Sequence, residues 1–452
     1  MFWLWLLPAC APSPDRPNIL LIVVDTLRAD HLGCYGYQRA TSPNLDRLAQ
    51  DSIVFEDAVA PASFTQPSVA TMLTGLTPPE HGVRRHPGAL SEHCVTIAER
   101  LRGAGYRTGA FVSNALLAPR YGFAQGFDRF DAQGHRLAEA TTGAAARWIT
   151  EQRREPFFAY VHYIDPHFPY AAPVPEPRPF TVADGGGYAQ LAKRFLAGTL
   201  PLDALWFAGE VQGSTLAAGR AEYDHEILYV DAAIQALLDR LHQLDLLERT
   251  WILVVGDHGE ALGEHGLTFC HGFYTYQELL HVPLIVRPPG GCAGGRRATA
   301  LVALTDIAPT ILAAAGVNGS GELSGRSLLS PEPVRDRVVF SEGGPVYPPP
   351  GAAELLAVRG CRITVPGFAG KWLAATTARW QLLLVPTHGG PTFELYDRAQ
   401  DPAELHDLYG ERAGELRALR EQLVRWRDSW PPETAPDAPD PNTRAALKEL
   451  GY

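Results

Sequence analysis

An aspartate and a histidine directly follow a short apolar segment in the middle of the chain. Residues 251–255 are continuously apolar and rich in β-branched side chains, which is typical of a buried strand in a parallel sheet. The segment ends at Gly256, and Asp257 and His258 come next. Carboxylate oxygens and neutral imidazole nitrogens are common ligands of divalent cations. The pair therefore predicts half of a metal site, although a turn whose aspartate caps a helix would carry the same residues.

A second apolar segment ends in another acid. Residues 18–24, NILLIVV, form a continuous apolar run, and Asp25 stands where polar and turn residues begin. Ligands of open α/β sheets bind at the carboxyl ends of the strands. Two acids at this edge would repel each other unless a cation lay between them. We therefore predict that Asp25 and Asp257 share a divalent metal ion.

A hydroxyl is placed at the start of a predicted helix in SFTQPSVATMLTG, residues 63–75. Thr65 reads as the N-cap, Pro67 is tolerated in the first turn, and Gly75 is a typical C-terminal stop. A hydroxyl at this position lies in the positive field of the helix N-terminus, with N–H donors nearby. Thr65 is therefore a candidate nucleophile. An N-cap without a chemical role is the alternative.

Two histidines in loops next to predicted strands complete the candidate set. His167 follows the strand 156–163 in the segment IDPHFPY, and His271 lies in a polar loop before the strand 282–286. Both are candidates for an oxyanion donor or the acid that protonates a leaving group. Ordinary loop histidines are the first alternative, and a second metal site built from Asp165, His167 and His271 is the other.

The elements that carry these residues indicate an α/β fold with a mostly parallel sheet. Apolar strands alternate with segments of helical spacing, the longest of which is the amphipathic stretch 221–247. From about residue 335 short strands and turns predict a small C-terminal α+β domain, closed by a helix over 413–430. We thus divide the chain into a leader and spacer (1–16), a large catalytic domain (17–334), a C-terminal subdomain (335–430) and a tail (431–452).

Composition excludes some classes of function. The chain has 452 residues, of which 46% are hydrophobic and 20% charged, and its formal net charge is −11. An acidic chain without a basic stripe is not a nucleic-acid-binding protein by charge. The six cysteines form no CxxC pair, so the pattern is neither a disulfide scaffold nor a zinc ribbon.

The first ten residues predict export. MFWLWLLPAC is a short apolar segment that ends in Cys10 and resembles a bacterial lipoprotein signal, although no Lys or Arg precedes it. The apolar run is too short to span a bilayer. We therefore expect an exported bacterial protein, periplasmic or held at the outer membrane through a lipid on Cys10. A misassigned start and an uncleaved anchor are the alternatives.

These segments together resemble the sulfatase family of the alkaline-phosphatase superfamily. The likeness runs in order through NILLIVVDTLRADHLGCYGY, PSVATMLTGLTPPEHGV, IDPHFPY, VVGDHGEALGEHGL, VPLIVRPPG and LTDIAPTILAAAG, and FELYDRAQDPAELHDL resembles the C-terminal hairpin of that family. The resemblance implies an α/β/α sandwich and a metal-dependent hydrolase. It also implies an anionic sulfate or phosphate ester as the substrate.

Several features of sulfate chemistry are missing. Thr65 occupies the position of the Cys or Ser that sulfatases convert to formylglycine, and its β-methyl group excludes that conversion. Val69 stands where the sulfatase motif has an arginine, and Thr26 replaces the second residue of an Asp-Asp pair. Where sulfatases have the lysine-containing segment GKWHLG, this chain reads GAFVSNALL.

The remaining residues resemble the Thr-dependent branch of the superfamily, which includes nucleotide pyrophosphatases, phosphoethanolamine transferases and lipoteichoic acid synthases. In that branch the threonine is both the nucleophile and a metal ligand. The resemblance thus implies one divalent ion (Mn, Zn, Ca or Mg) held by Asp25, Thr65, Asp257 and His258.

We therefore predict a hydrolase or phosphotransferase that favours phosphoesters. Thr65 has a single hydroxyl, so its covalent adduct can only be released by a second attack at the transferred centre, which phosphorus tolerates better than sulfur. One alternative is a sulfatase proper that uses Thr65 without formylglycine. The other is a catalytically inactive protein of this fold that binds an anionic glycan or a lipid head group.

Overall fold

A computed structural model describes residues 16–175, 178–182, 186–200, 211, 213–319, 323–330, 336–344, 371–387 and 390–430. The predicted leader with Cys10 and the tail 431–452 lie outside these ranges. So does the segment AVRGCRITV, residues 357–365, which is one of the short strands predicted in the C-terminal subdomain. In the described part of the chain, no helix combines the length and the apolar character needed to cross a membrane.

The strands account for both predicted sheets. Their bounds are β1 Asn18–Val24, β2 Ile53–Val59, β3 Arg107–Val112, β4 Arg129–Ala132, β5 Phe157–Tyr163, β6 Thr250–Gly256, β7 Ala261–Leu262, β8 Thr268–Cys270, β9 His281–Arg287, β10 Arg296–Ala303, β11 Val339–Glu342, β12 Leu373–Thr376, β13 Trp380–Val385 and β14 Thr392–Asp397.

The larger sheet has the order β10-β2-β9-β6-β1-β5-β3-β4. All its neighbours pair in parallel except at β9, which is antiparallel to both β2 and β6. The four strands β11 to β14 form a second, antiparallel sheet. The α/β class with a mostly parallel central sheet and a small C-terminal antiparallel sheet is confirmed. The boundary drawn at residue 335 stays a prediction.

The helices flank the larger sheet and close the smaller one. Their bounds are α1 Pro43–Ala49, α2 Thr65–Thr74, α3 Pro78–His81, α4 Ile97–Gly103, α5 Ala138–Gln152, α6 Gly186–Leu196, α7 Gly213–Gln243, α8 Gln277–Leu280, α9 Ile307–Ala314, α10 Tyr409–Arg412 and α11 Arg417–Asp428. The Pro- and Gly-rich stretch 171–217 predicts a surface insertion around the cleft, and its described part includes α6 and the first turn of α7. Tyr188 of α6 is buried, and its ring lies 6.5 Å from that of Phe168, so α6 packs onto the loop that carries His167.

The central strands are buried along their full length because both faces of the sheet are covered. Every residue of β1 and β5 is buried. Continuous apolar runs are what a strand covered on both faces requires. Parallel pairing of β1 with β5 and β6 places the carboxyl ends of these strands at one edge of the sheet, where the candidate residues lie.

His265 connects the loop after β6 to the C-terminal subdomain. Its Nδ1 lies 2.8 Å from Oε1 of Glu278, and its Nε2 lies 3.1 Å from the carbonyl oxygen of Glu404. Its ring stacks on Tyr276 with 3.7 Å between the ring centroids. Burial opposes a charge here, but the hydrogen bond and charge of Glu278 outweigh it and raise the pKa of His265 to about 9.

The His265→Gln variant should lose stability mainly at neutral and acidic pH. A raised pKa in the folded state gives stability that is fully present below pH 6.5, the unfolded value, and is lost as the pH rises through about 9. The difference in melting temperature between wild type and variant should therefore shrink over that window. Calorimetry at a series of pH values tests this, with His242→Gln on the exposed end of α7 as control. A difference that stays constant with pH would contradict it.

Candidate active site

The two predicted aspartates leave the sheet side by side. Strands β1 and β6 pair in parallel with Val24 opposite Gly256, so the next residues, Asp25 and Asp257, project from the same edge. Both side chains are fully buried. Two carboxylates in a dry site repel each other and favour a proton or a cation between them.

Each carboxylate has one oxygen in hydrogen bonds and one without a partner. Oδ2 of Asp25 accepts from Nδ2 of Asn114 at 2.7 Å and lies 3.1 Å from Nε2 of His162. Oδ1 of Asp257 accepts from the backbone N–H of Thr26 at 3.1 Å and that of His258 at 2.9 Å. Among the described residues, Asp25 Oδ1 and Asp257 Oδ2 have no hydrogen-bond partner although both are buried.

His258 presents a lone pair to these two oxygens. Its Nδ1 lies 2.9 Å from the carbonyl oxygen of Gly259, which can only accept, so Nδ1 carries the proton and Nε2 does not. Nε2 is 3.6 Å from Oδ1 of Asp25, 3.5 Å from Oδ2 of Asp257 and 3.3 Å from Oγ1 of Thr65. The structure thus brings together the four side chains for which a metal site was predicted.

The pKa values of the two aspartates and of His258 are shifted because these side chains are buried next to one another. Burial and the charge of Asp25 raise the pKa of Asp257 well above its usual value. Burial opposes the charge of Asp25 as well, but the hydrogen bond from His162 and the neighbouring histidines keep its pKa below the usual range. Burial lowers the pKa of His258 well below its usual value, so the ring is neutral and can act as a ligand.

The residues fit a divalent cation. Two buried carboxylate oxygens without partners, a neutral imidazole nitrogen and a hydroxyl form a suitable donor set. The three distances from Nε2 of His258 match the edges of a tetrahedron about zinc, which are about 3.3–3.6 Å for ligands at about 2.0–2.2 Å. Cis ligands of Ca²⁺ at about 2.3–2.6 Å have similar separations, so the distances do not identify the metal. The imidazole ligand does distinguish between metals, because Ca²⁺ and Mg²⁺ prefer oxygen ligands whereas Zn²⁺ also accepts nitrogen ligands.

His162 is a second candidate ligand that the sequence analysis missed. One ligand atom each from Asp25, His162 and Asp257 lie within 4.8 Å of one another. However, Nε2 of His162 faces the oxygen of Asp25 that also accepts from Asn114, and its Nδ1 lies 2.9 Å from the hydroxyl of Tyr160. This arrangement favours His162 as a donor that orients Asp25 from behind rather than as a direct ligand.

Thr65 lies at the start of α2, one residue beyond the position predicted. Phe64 is the N-cap and Thr65 is the first helical residue, while Gly75 ends the helix in the left-handed conformation as expected, with φ at 73°. Thr65 is buried at 1% exposure. The next side chain, Gln66, donates to the carbonyl oxygens of Gly88 and Leu116 at 2.9 and 2.7 Å, which fixes the first turn of the helix.

Both predicted loop histidines border this cluster. The ring centroid of His271 lies 4.5 Å from that of His258 and 4.9 Å from that of His167. Nδ1 of His167 donates to the carbonyl oxygen of Phe168 at 2.6 Å. Burial and the neighbouring His271 lower the pKa of His167, and burial lowers that of His271 to about 4.

The alternative second metal site does not form around Asp165. This side chain interacts with Glu226 of α7, and burial of the pair raises the pKa of Asp165 to about 6. Among the described residues, no group of three metal-ligating side chains combines Asp165 with His167 and His271.

Other buried polar residues next to the cluster could not be predicted from the sequence, because no local pattern marks them as part of a site. Asn114 and His162 belong to the ends of β3 and β5, where Val112 pairs with His162. Glu260 contacts His271, and Nδ1 of His86 lies 2.8 Å from Oε1 of Gln66. Burial and the neighbouring histidines lower the pKa of His86 well below its usual value. Only the pairing of the strands and the fold of the loops bring these residues to the site.

Comparison with known proteins gives one consistent family. Residues 17–317 match the family model described as Sulfatase. Human arylsulfatase A is 27% identical over 473 aligned positions, which cover 90% of this chain and 87% of that protein. N-acetylglucosamine-6-O-sulfatase of Bacteroides thetaiotaomicron is 25% identical over 399 positions, covering 69% of this chain and 70% of that protein.

Solved structures share the fold. The phosphonate monoester hydrolase of Agrobacterium radiobacter superposes with a TM-score of 0.72 at 23% identity, covering 92% of this chain and 96% of that one. A protein solved in complex with its substrate D-glucosamine-2-N,6-O-disulfate has a TM-score of 0.69 at 20% identity and covers 92% of this chain and 96% of its own.

Replacement of His258 should weaken metal binding more than replacement of His162. His258→Gln removes a proposed direct ligand, so the affinity for Zn²⁺ should fall by more than about 100-fold. His162→Gln removes a supporting hydrogen bond, for which about 10- to 100-fold is typical. Titration calorimetry of metal-stripped protein measures both, and the stabilisation of the fold by Zn²⁺ should decrease in the same order. His242→Gln is the control, and a larger loss for His162→Gln would make His162 the ligand.

Proposed function

Because the chain belongs to the sulfatase family, we propose that this ester hydrolase uses Thr65 as its nucleophile, with one divalent metal ion, and prefers phosphoesters to sulfate esters. The observation that carries the proposal is the position of Oγ1 of Thr65, 3.3 Å from the unprotonated Nε2 of His258 and next to two unpaired carboxylate oxygens. A hydroxyl in such a donor set is placed to become an activated nucleophile.

The chemistry divides among the residues of the site. When bound, a divalent cation held by Asp25, Asp257, His258 and Thr65 would lower the pKa of the threonine hydroxyl and offset charge on the ester oxygens. Oγ1 of Thr65 gives up its proton to solvent and forms the bond to phosphorus as the bond to the leaving alcohol breaks. N–H groups in the first turn of α2 are suited to bind a phosphoryl oxygen, since they have no acceptor within the helix.

Proton transfers then fall to the loop histidines. We assign His271 to protonate the leaving alcohol and His167, whose ring lies against it, to donate to the ester oxygens. Each ring donates from Nε2 after it has taken up a second proton, which the negative charge of a bound ester favours. Water, or another alcohol if the enzyme is a phosphotransferase, attacks phosphorus in the second step, loses a proton to solvent and releases Thr65, whose Oγ1 takes up a proton and becomes a hydroxyl again. These roles were predicted from the sequence, and the contacts of the two rings with His258 and with each other support them.

The preference for phosphoesters follows from the single hydroxyl of Thr65. Release of its adduct requires a second attack at the transferred atom, which is easier at phosphorus than at sulfur. The likeness in fold to phosphonate monoester hydrolases supports this choice. The sulfatases among the sequence relatives favour the alternative, a sulfatase proper, and the neighbour solved with a disulfated glucosamine favours an anionic substrate in either case.

A side-by-side panel of nitrophenyl esters tests the substrate class. The metal-stripped protein is reloaded with Zn²⁺, Mn²⁺, Ca²⁺ or Mg²⁺ and assayed on an aryl phosphate, an aryl phosphodiester, an aryl phosphonate and an aryl sulfate. We expect higher kcat/KM for the phosphorus esters, because only their adduct on Thr65 is readily discharged. Multiple turnover on the sulfate alone would establish the sulfatase alternative. Metal binding without turnover on any ester would favour the inactive binding protein.

Removal of the Thr65 hydroxyl should abolish this activity. Thr65→Val keeps the shape of the side chain but lacks the nucleophile, so kcat should fall by at least about 1000-fold. Thr65→Ser keeps a hydroxyl and should retain part of the rate. Thr74→Val at the other end of α2 is the matched control, because it also removes one buried hydroxyl. Near-normal turnover by Thr65→Val would rule out a covalent threonine intermediate.

Export and a lipid on Cys10 remain part of the proposal. They rest on the segment MFWLWLLPAC alone and would place the site outside the cytoplasm, at a membrane surface.

A further inference from the structure

A buried carboxyl group whose ion-pair contact is a histidine lies next to the candidate site. Glu260 is fully buried, and its Oε1 lies 3.0 Å from Nδ1 of His271. Among the described residues His271 is its only ion-pair contact, and its Oε2 has no hydrogen-bond partner. Burial of a carboxyl group costs free energy, and here it raises the pKa of Glu260 to about 8 although His167, Phe168 and Tyr170 oppose the shift. A buried group that lowers the stability of the fold in this way points to a role in function.

The backbone that carries Glu260 is held firmly. Its carbonyl oxygen accepts from Nη1 of Arg28 at 2.9 Å, and Arg28 is also paired with Asp30 and Glu264. The preceding residue, Gly259, donates to the carbonyl oxygen of Leu279 at 2.9 Å. A side chain presented from such a fixed segment can hold its partner in one orientation.

His271 is the partner whose orientation matters. Its ring packs against the rings of His258 and His167, at 4.5 and 4.9 Å between centroids. Because Nδ1 is committed to Glu260, a proton that His271 exchanges with a substrate must pass through Nε2. A carboxylate that fixes the tautomer and the orientation of a histidine is a recurrent way to prepare it for proton transfer.

We propose that Glu260 is a positioning residue, which holds His271 so that Nε2 delivers a proton to the oxygen of the leaving alcohol. This inference rests on the proposed function, in which His271 is the general acid. As the bond between phosphorus and the leaving oxygen breaks, the proton on Nε2 moves to that oxygen. The neutral imidazole that remains keeps its Nδ1 proton in the hydrogen bond to Glu260, and a proton from solvent restores the acid.

A similar pair outside the site provides a matched control. Glu278 lies 2.8 Å from Nδ1 of His265, but this pair joins the loop after β6 to the C-terminal subdomain. Glu278→Gln and Glu260→Gln therefore make the same chemical change in the same kind of contact. Only the change at Glu260 should alter how the rate depends on the leaving group.

The test measures turnover of aryl phosphodiesters whose leaving groups range from dinitrophenol to unsubstituted phenol. Glu260→Ala should slow the phenol ester by about 10²–10⁴-fold, the usual contribution of a general acid, and the dinitrophenol ester far less, since that leaving group needs no proton. Glu260→Gln should recover part of the loss, because an amide oxygen also accepts from Nδ1. In a His271→Ala background, Glu260→Ala should cause no further loss.

Two readouts that do not depend on turnover accompany the kinetics. The affinity for Zn²⁺, measured by calorimetry, should be unchanged in Glu260→Ala. Nitrogen NMR of the histidine-labelled protein, with His271→Ala to identify the signals, should show the Nδ1–H form of His271 in the wild type and its loss in Glu260→Ala.

The outcomes separate the positioning role of Glu260 from the proposed function, in which Thr65 is the nucleophile. An equal loss of rate for every leaving group, or a full further loss in the His271→Ala background, would overturn the role of Glu260 while leaving Thr65 as the nucleophile. An unchanged NMR signal in Glu260→Ala would overturn the positioning itself. If the wild type turns over no ester although the NMR signal responds to Glu260, the proposed function fails and the proton delivery fails with it.

Discussion

The structure depends on a single electrostatic constraint, the burial of two carboxylates at adjacent positions. Parallel pairing of β1 and β6 places Asp25 beside Asp257 with no freedom to separate them, since Val24 lies opposite Gly256. Bringing two like charges into a dry site is unfavourable unless a positive charge joins them. In both aspartates, one carboxylate oxygen accepts hydrogen bonds, and the other has no hydrogen-bond partner among the described residues. Unpaired carboxylate oxygens suit a cation, so the sheet register brings together groups that could hold a metal ion.

The surrounding residues are arranged to keep these two oxygens unpaired. Tyr223 of the long helix α7 donates to the carbonyl oxygen of Thr26 at 2.7 Å and accepts from the N–H of Arg28 at 3.0 Å, which fixes the chain as it leaves β1. Thr26 adopts a left-handed conformation with φ at 55°, which is strained for a β-branched residue. That conformation directs its N–H to Asp257. Strain at such a position persists only where the surroundings enforce it, and it is typical of functional sites.

The sequence predicted the parts of the site that follow continuous apolar strands. Asp25, Asp257 and His258 come directly after such strands, so their place at the edge of the sheet could be inferred from the order of residues alone. Asn114 and His162 could not, because their approach to Asp25 depends on the pairing of β3 and β5 with β1, which no local pattern encodes. The strand β12 has only four residues and carries no local pattern of its own, so it too is defined by its pairing, with β11 and β13.

The predicted departures from the sulfatase pattern remove both an acidic side chain and basic side chains, so their effects on the charge of the site offset each other. In the pattern that the resemblance to sulfatases implies, Thr26 would stand in place of an acid of an Asp-Asp pair, and Val69 and the segment GAFVSNALL in place of an arginine and a lysine. Loss of one carboxylate leaves a divalent cation balanced by Asp25 and Asp257 alone, given that burial keeps His258 neutral. A site with this balance does not repel an anionic ester, so it needs fewer basic side chains to bind one. The substitutions predicted from the sequence therefore fit the proposed site, in which two carboxylates offset the charge of one divalent cation and His258 adds none.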